Sequence, residues 1–162
     1  MTVLEFAPQR LALLQRTRHI AIVGMSDTPA RASHFVATYL LGATDYEVSF
    51  VNPRLAERDG ELFGRPVHPS LDELPTVPDI VDVFRRQDDL AAVTDDAIAV
   101  GARAVWFQLG LRDDDAAATA SAAGLDVVQD RCVKIEHARF RGGLHTAGFD
   151  TGVIDSRRAR LV

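Results

Sequence analysis

Four short segments carry the residues most suited to chemistry, and each follows an apolar run. Gly24-Met25-Ser26 follows the run Ile20 to Val23 and continues through Asp27, Pro29, Arg31 and Ser33. Asn52-Pro53-Arg54 follows EVSFV, Arg85-Arg86 follows DIVDVF, and Gln108-Leu109-Gly110 follows RAVWFQ up to its last residue. Glycine lets a chain leave a strand tightly. Serine hydroxyls and the free amides of a helix start bind phosphate oxygens. Guanidinium groups add positive charge. The chemistry these types suggest is the holding of a phosphorylated ligand.

The first turn has one glycine where dinucleotide-binding turns usually have three. Pro29 and Arg31 suit a longer, stiffer loop. The second segment discriminates further. NAD-binding domains place an Asp or Glu after this strand for the ribose hydroxyls. Here Asn52, Pro53 and Arg54 stand instead. Arg54 suits a ribose phosphate, as in NADP or coenzyme A, or is a solvated surface arginine. Gln108 and Gly110 offer an amide and a close backbone approach, or Gly110 only permits a turn.

Cys132 is the chain's one cysteine. It lies at a predicted helix start, where a thiol pKa can fall. Glu136 and His137 follow, at a spacing that does not make two side chains face each other well. A buried, inert thiol and a redox nucleophile are both open readings. The five histidines have no metal-ligand spacing, and no paired acid/base carboxylates stand out. Asp113 to Asp115 read as a helix cap.

Positioning these segments requires alternating strands and helices. The pattern predicts a helix over 4–17, with Leu4, Leu11 and Leu14 on one face. It predicts strands over 18–23, 47–51, 79–84, 103–108 and 125–128, with a short extra strand over 66–68. Helices are expected over 32–42, burying Phe35, Val36, Tyr39 and Leu40, and over 88–101, capped by Asp88 or Asp89. A further alanine-rich helix runs from Asp113 to a stop at Gly124, and a helical stretch covers 130–139. Short connections between alternating elements imply an α/β fold: a Rossmann-like open parallel sheet of about five strands between two helical layers. Ligands in such sheets sit beyond the carboxyl ends of the strands, where the segments above fall.

The 162 residues suit a single domain with a core over 10–140 and a tail over 141–162. The net charge of -5 argues against nucleic acid or an anionic membrane as partner. No apolar stretch has membrane-spanning length, and the N-terminus lacks a signal-peptide layout. With one cysteine, the expected compartment is the cytoplasm.

The segments VGMSDTPARASHFVATYLL, VNPR, DIVDVFRR, GARAVWFQLG and AAGLDVVQDRCVKIEHAR resemble, in order and spacing, the stand-alone CoA-binding domain family. The likeness covers residues 10–140 and is similar to the amino-terminal CoA-binding domain of the succinyl-CoA synthetase alpha subunit. It implies that Gly24, Met25, Ser26, Pro29 and Arg31 lie along the pyrophosphate and phosphorylated ribose, with Ser33 helping at the helix start. It implies that Asn52, Pro53 and Arg54 flank the adenosine, with Phe84 and Arg85 on the adenine or phosphate side. Gln108 and Gly110 would line the pantetheine path, with Cys132 and Glu136 at its far end.

The expected function is therefore the binding of coenzyme A or an acyl-CoA by a module that is not an enzyme, alone, as a homo-oligomer or with a partner subunit. The alternative is an NADP-dependent oxidoreductase or a thiol redox protein using Cys132. In the tail, GGLH at 142–145 resembles a phosphohistidine-type loop.

Overall fold

Residues 19–23, HIAIV, are buried without exception. Such a run has no solvent face, so it must sit in the middle of a sheet covered on both sides. The structure, a computed structural model, describes residues 3–141 and places this strand, β1 (His19–Val23), at the centre. In chain order the elements are α1 (Ala7–Arg16), β1, α2 (Ala32–Ala43), β2 (Glu47–Val51), α3 (Pro53–Arg58), β3 (Glu61–Leu62), β4 (Arg65–His68), β5 (Ile80–Val83), α4 (Leu90–Ala99), β6 (Ala104–Phe107), α5 (Asp114–Ala122), β7 (Asp126–Val128) and α6 (Val133–Arg141). Residues 142–162, including the GGLH segment, lie outside the described residues.

The sheet order is β3-β4-β2-β1-β5-β6-β7. Every pair is parallel except β3–β4. The expected α/β, Rossmann-like architecture is present, with seven strands rather than about five. The expected short strand over 66–68 is β4, and the unexpected β3 pairs with it as a hairpin at one edge, whose two-residue turn has positive φ at both Phe63 and Gly64. Phenylalanine seldom takes that conformation, which hides the turn from a sequence reading. Phe63 is held there by ring contacts with His34 and Phe50, at 4.8 and 6.0 Å between centroids.

Alternate strand residues feed two cores. Ile20, Ile22, Ile80 and Trp106 pack under α1, α2 and α6 through Leu13, Leu14, Val36, Leu40, Val133 and Phe140. Ala21, Val81, Val83 and Val105 pack under α4 and α5 through Leu90, Val93, Ala97, Ala117 and Ala120. No helix among the described residues is long and apolar enough to cross a membrane.

Several local expectations change. The first helix begins at Ala7 rather than near Leu4, and Leu4 instead donates its backbone N–H to Val127 O at 2.7 Å. The buried face of α1 includes Arg10, whose Nε lies 2.9 Å from Glu136 Oε2 on α6. Asp113 caps α5 by accepting from Ala116 N at 2.9 Å. Asp89 occupies the N-cap position of α4 as expected, but its side chain makes no capping hydrogen bond: a 3₁₀ turn precedes that helix, and Asp89 faces Arg85 Nε at 3.4 Å. Phe35 on α2 is exposed rather than buried.

Candidate ligand-binding crevice

The chain leaves β1 toward α2 on one face and leaves β5 toward α4 on the other. The carboxyl ends of these neighbours therefore diverge, and a crevice opens between them. Gly24 sits at this crossing with φ +85°. An ideal Cβ there would meet Phe84 O at 2.2 Å, so β5 requires glycine at this point.

The loop after Gly24 is shaped by its own hydrogen bonds. Ser33 Oγ accepts from Ser26 N at 3.0 Å, and Ser26 Oγ accepts from Thr28 N at 3.1 Å. Arg31 N donates to Thr28 O at 3.0 Å, closing a turn that contains Pro29. No side chain caps α2, so its first backbone N–H groups are available to an anion. Asn52 braces the neighbouring turns: its Nδ2 donates to Met25 O at 2.7 Å, while its Oδ1 accepts from Arg54 N and Leu55 N at the start of α3.

The turn after β6 has Leu111 N donating to Gln108 O at 2.9 Å, with Gly110 at φ +86°. That conformation favours glycine. The turn is tied to the loop after β7 by Gly110 N donating to Asp130 Oδ1 at 2.7 Å. Trp106 Nε1 donates to Arg131 O at 2.7 Å, anchoring the segment that carries Cys132.

These loops enclose a crevice of about 840 Å³, within the range of small-molecule sites. Its walls are Gly24, Met25, Ser26, Arg31, Ser33, Asn52, Arg54, Phe84, Arg85, Gln108 and Cys132, joined by Ala32, Phe35, Val36, Leu109, Leu111, Lys134 and Ile135. A smaller adjoining recess adds Pro53, Arg86 and Asp89. Charge is unevenly spread. Arg31, Arg54, Arg85 and Arg86 gather at the β1, β2 and β5 end. Among the described residues, no side-chain hydrogen bond or ion pair holds Arg31, Arg54 or Arg86. The other end is apolar, except that Lys134 Nζ stands 4.2 Å from the centroid of the Phe35 ring.

Beneath the apolar end lies Asp82, fully buried on β5. Its Oδ1 accepts from Gln108 Nε2, and its Oδ2 has no hydrogen-bond partner among the described residues. Burial pushes its carboxyl pKa up to about 8, with the Gln108 hydrogen bond pulling back. Burial likewise pushes the Cys132 thiol up, and the nearby Asp82 adds to the rise. The expected lowering at a helix start is therefore reversed: two backbone hydrogen bonds near the start of α6 favour the thiolate but do not outweigh desolvation.

The sequence model described as a CoA binding domain matches residues 18–138. The chain belongs to this CoA binding domain family. Uncharacterized protein YneT of Bacillus subtilis is 37% identical over 126 residues, covering 78% of this chain and 90% of that protein. Among solved structures, a hypothetical protein from Pyrococcus horikoshii OT3 matches with a TM-score of 0.76 and 34% identity, over 83% of this chain and 91% of the other. Cell-free ID.343 from Thermus thermophilus matches with a TM-score of 0.76 and 36% identity, over 83% and 98%. A dinucleotide-forming acetyl-coenzyme A synthetase from Ca. Korarchaeum cryptofilum shares the fold at a TM-score of 0.64 and 20% identity. That match covers 74% of this chain and 28% of the synthetase.

Within this CoA binding domain, most of the residues singled out from the sequence converge on one crevice. Pro29 and Gly110 do not line it: they form the turns that place Arg31 on one side and Leu109 and Leu111 on the other. Glu136 is also outside it, paired with Arg10 in the opposite direction. His137 turns away too, its Nδ1 lying 2.9 Å from the Tyr39 hydroxyl. The apolar wall from α2 and α6 escaped the sequence reading. Phe35 and Ile135 lie on apolar stripes, and their spacing alone reads as core. The one available signal is the pairing of Lys134 with a surplus aromatic on α2.

Proposed function

We propose that this CoA binding domain takes coenzyme A or an acyl-CoA at the carboxyl edge of its sheet, as a non-catalytic binding or regulatory module. One observation carries the reading: the crevice is cationic at one end and apolar at the other. Coenzyme A has the same polarity, with phosphates at its nucleotide end and an uncharged pantetheine arm. Arg31, Arg54 and Arg86 hold the phosphates, aided by the uncapped start of α2. The arm runs over Gln108 toward Cys132. The missing carboxylate after β2 disfavours NAD. The protonated Cys132 thiol disfavours redox chemistry.

Thermal melting with coenzyme A, acetyl-CoA, NADP and NAD tests this. A ligand at a hundredfold its Kd stabilises by about 2.7 kcal/mol, or about 5–10 °C for a chain of this size. Coenzyme A is expected to give such a shift and NAD none. A shift with NADP alone overturns the reading.

A further inference from the structure

Large apolar side chains seldom stand in water without a reason when they form a contiguous patch. Phe35 and Leu109 are 57% and 64% exposed, and they form opposite lips of the crevice. Between and below them lie Val36, Leu111, Cys132 and Ile135. The four arginines of the crevice all belong to its other end. Lys134 is the cation lining this end, and its ammonium is stacked 4.2 Å from the Phe35 ring and 5.8 Å from the Tyr39 ring. Arg112 faces Asp114 at 3.0 Å and does not line the crevice. Neither Asp82 nor Asp130 lines the crevice: Asp82 lies buried, held by Gln108 and with one oxygen unpartnered among the described residues, and Asp130 Oδ1 accepts from Gly110 N.

We propose that this end of the crevice receives an uncharged acyl group, or a bare thiol, and rejects an acyl group that ends in a carboxylate. The inference rests on the reading that coenzyme A is the ligand, and it names the class of thioester. An alkyl chain covers Phe35 and Leu109 and gains from their removal from water. A terminal carboxylate leaves water for apolar walls on which Lys134 is the one lining cation at this end, its ammonium already stacked on the Phe35 ring. Gln108 borders the arm as a neutral amide: one N–H of its nitrogen goes to Asp82 Oδ1, and its carbonyl oxygen can accept from an amide N–H of the arm.

Isothermal titration of the full chain with coenzyme A, acetyl-CoA, butyryl-CoA and succinyl-CoA, near neutral pH with a reductant present, decides the matter. Acetyl-CoA and butyryl-CoA are expected to bind at least as tightly as coenzyme A, and succinyl-CoA about tenfold or more weakly. Leu109→Arg, a substitution on an exposed lip, is expected to recover succinyl-CoA binding. Succinyl-CoA binding as tightly as butyryl-CoA overturns the proposal. So does recruitment of Lys134, seen as succinyl-CoA affinity that Lys134→Ala removes while coenzyme A affinity stays. If none of the four ligands binds, the coenzyme A reading itself fails, which is a different result from a changed order among them.

Discussion

The backbone at Gly24 passes so close to Phe84 that an ideal Cβ on the glycine would stand 2.2 Å from the Phe84 carbonyl oxygen. This contact sets how near β1 and β5 can approach where the crevice opens. Gly24→Ala adds that clash to the strain of a non-glycine residue at φ +85°. The expected loss is at least about 2 kcal/mol, read as a lower urea midpoint with an unchanged slope.

Asp82 has a directional effect on stability. Its folded pKa, about 8, lies above the ordinary value of 3.8, so the folded chain holds a proton that the unfolded chain has lost. The stability it contributes is fully present below the unfolded value and is lost as pH rises through the folded one. Asp82→Asn removes the titration. The melting temperature of this variant relative to wild type is expected to rise steadily between about pH 4 and about pH 8 and to level off above that. Parallel curves overturn the assignment.

The pair Arg10 and Glu136 joins α1 to α6 with side chains 4% and 2% exposed. Arg10 also donates to the carbonyl oxygens of Leu4 and Glu5. Among the described residues, Arg10→Met leaves the buried carboxylate with the longer contact to Arg139, at 3.5 Å. The expected cost is about 3 kcal/mol. Adding Glu136→Gln is expected to return part of it, measured as a double-mutant cycle in urea.

Arg54 is exposed and holds no side-chain partner among the described residues, so its removal leaves the fold intact. On the proposed reading, Arg54→Ala weakens coenzyme A binding about tenfold. The loss is expected to shrink as salt is added. Titration calorimetry at two ionic strengths gives both numbers.

Cys132 is half-buried, and its thiol pKa is raised by burial and by Asp82. Alkylation by iodoacetamide near pH 7 is expected to be slower than for a free cysteine, and slower again with coenzyme A bound. A fast reaction, followed by mass spectrometry, would contradict the raised pKa.

Much of the architecture was legible in the chain. The unbroken apolar run 20–23 can only be a strand covered on both faces, and Gly24, Asn52-Pro53, Gly101 and Gly124 mark where elements end. These are local facts: backbone freedom and apolar periodicity do not depend on distant residues. The strand-end segments were legible for the same reason, since topology alone places them on one edge. Tertiary structure decided what local patterns cannot. Phe35 reads as core by its spacing, yet α2 packs on the sheet through Val36 and Leu40 and turns Phe35 to the crevice lip. Glu136 follows Cys132 by one turn, yet Arg10, more than a hundred residues away, holds it elsewhere. The Cys132 pKa follows from burial beside Asp82, fifty residues distant in sequence, rather than from its place near a helix start. Periodicity specifies which faces are apolar. Which partner each face meets, and how much water remains there, depends on contacts that form only when the whole sheet is assembled.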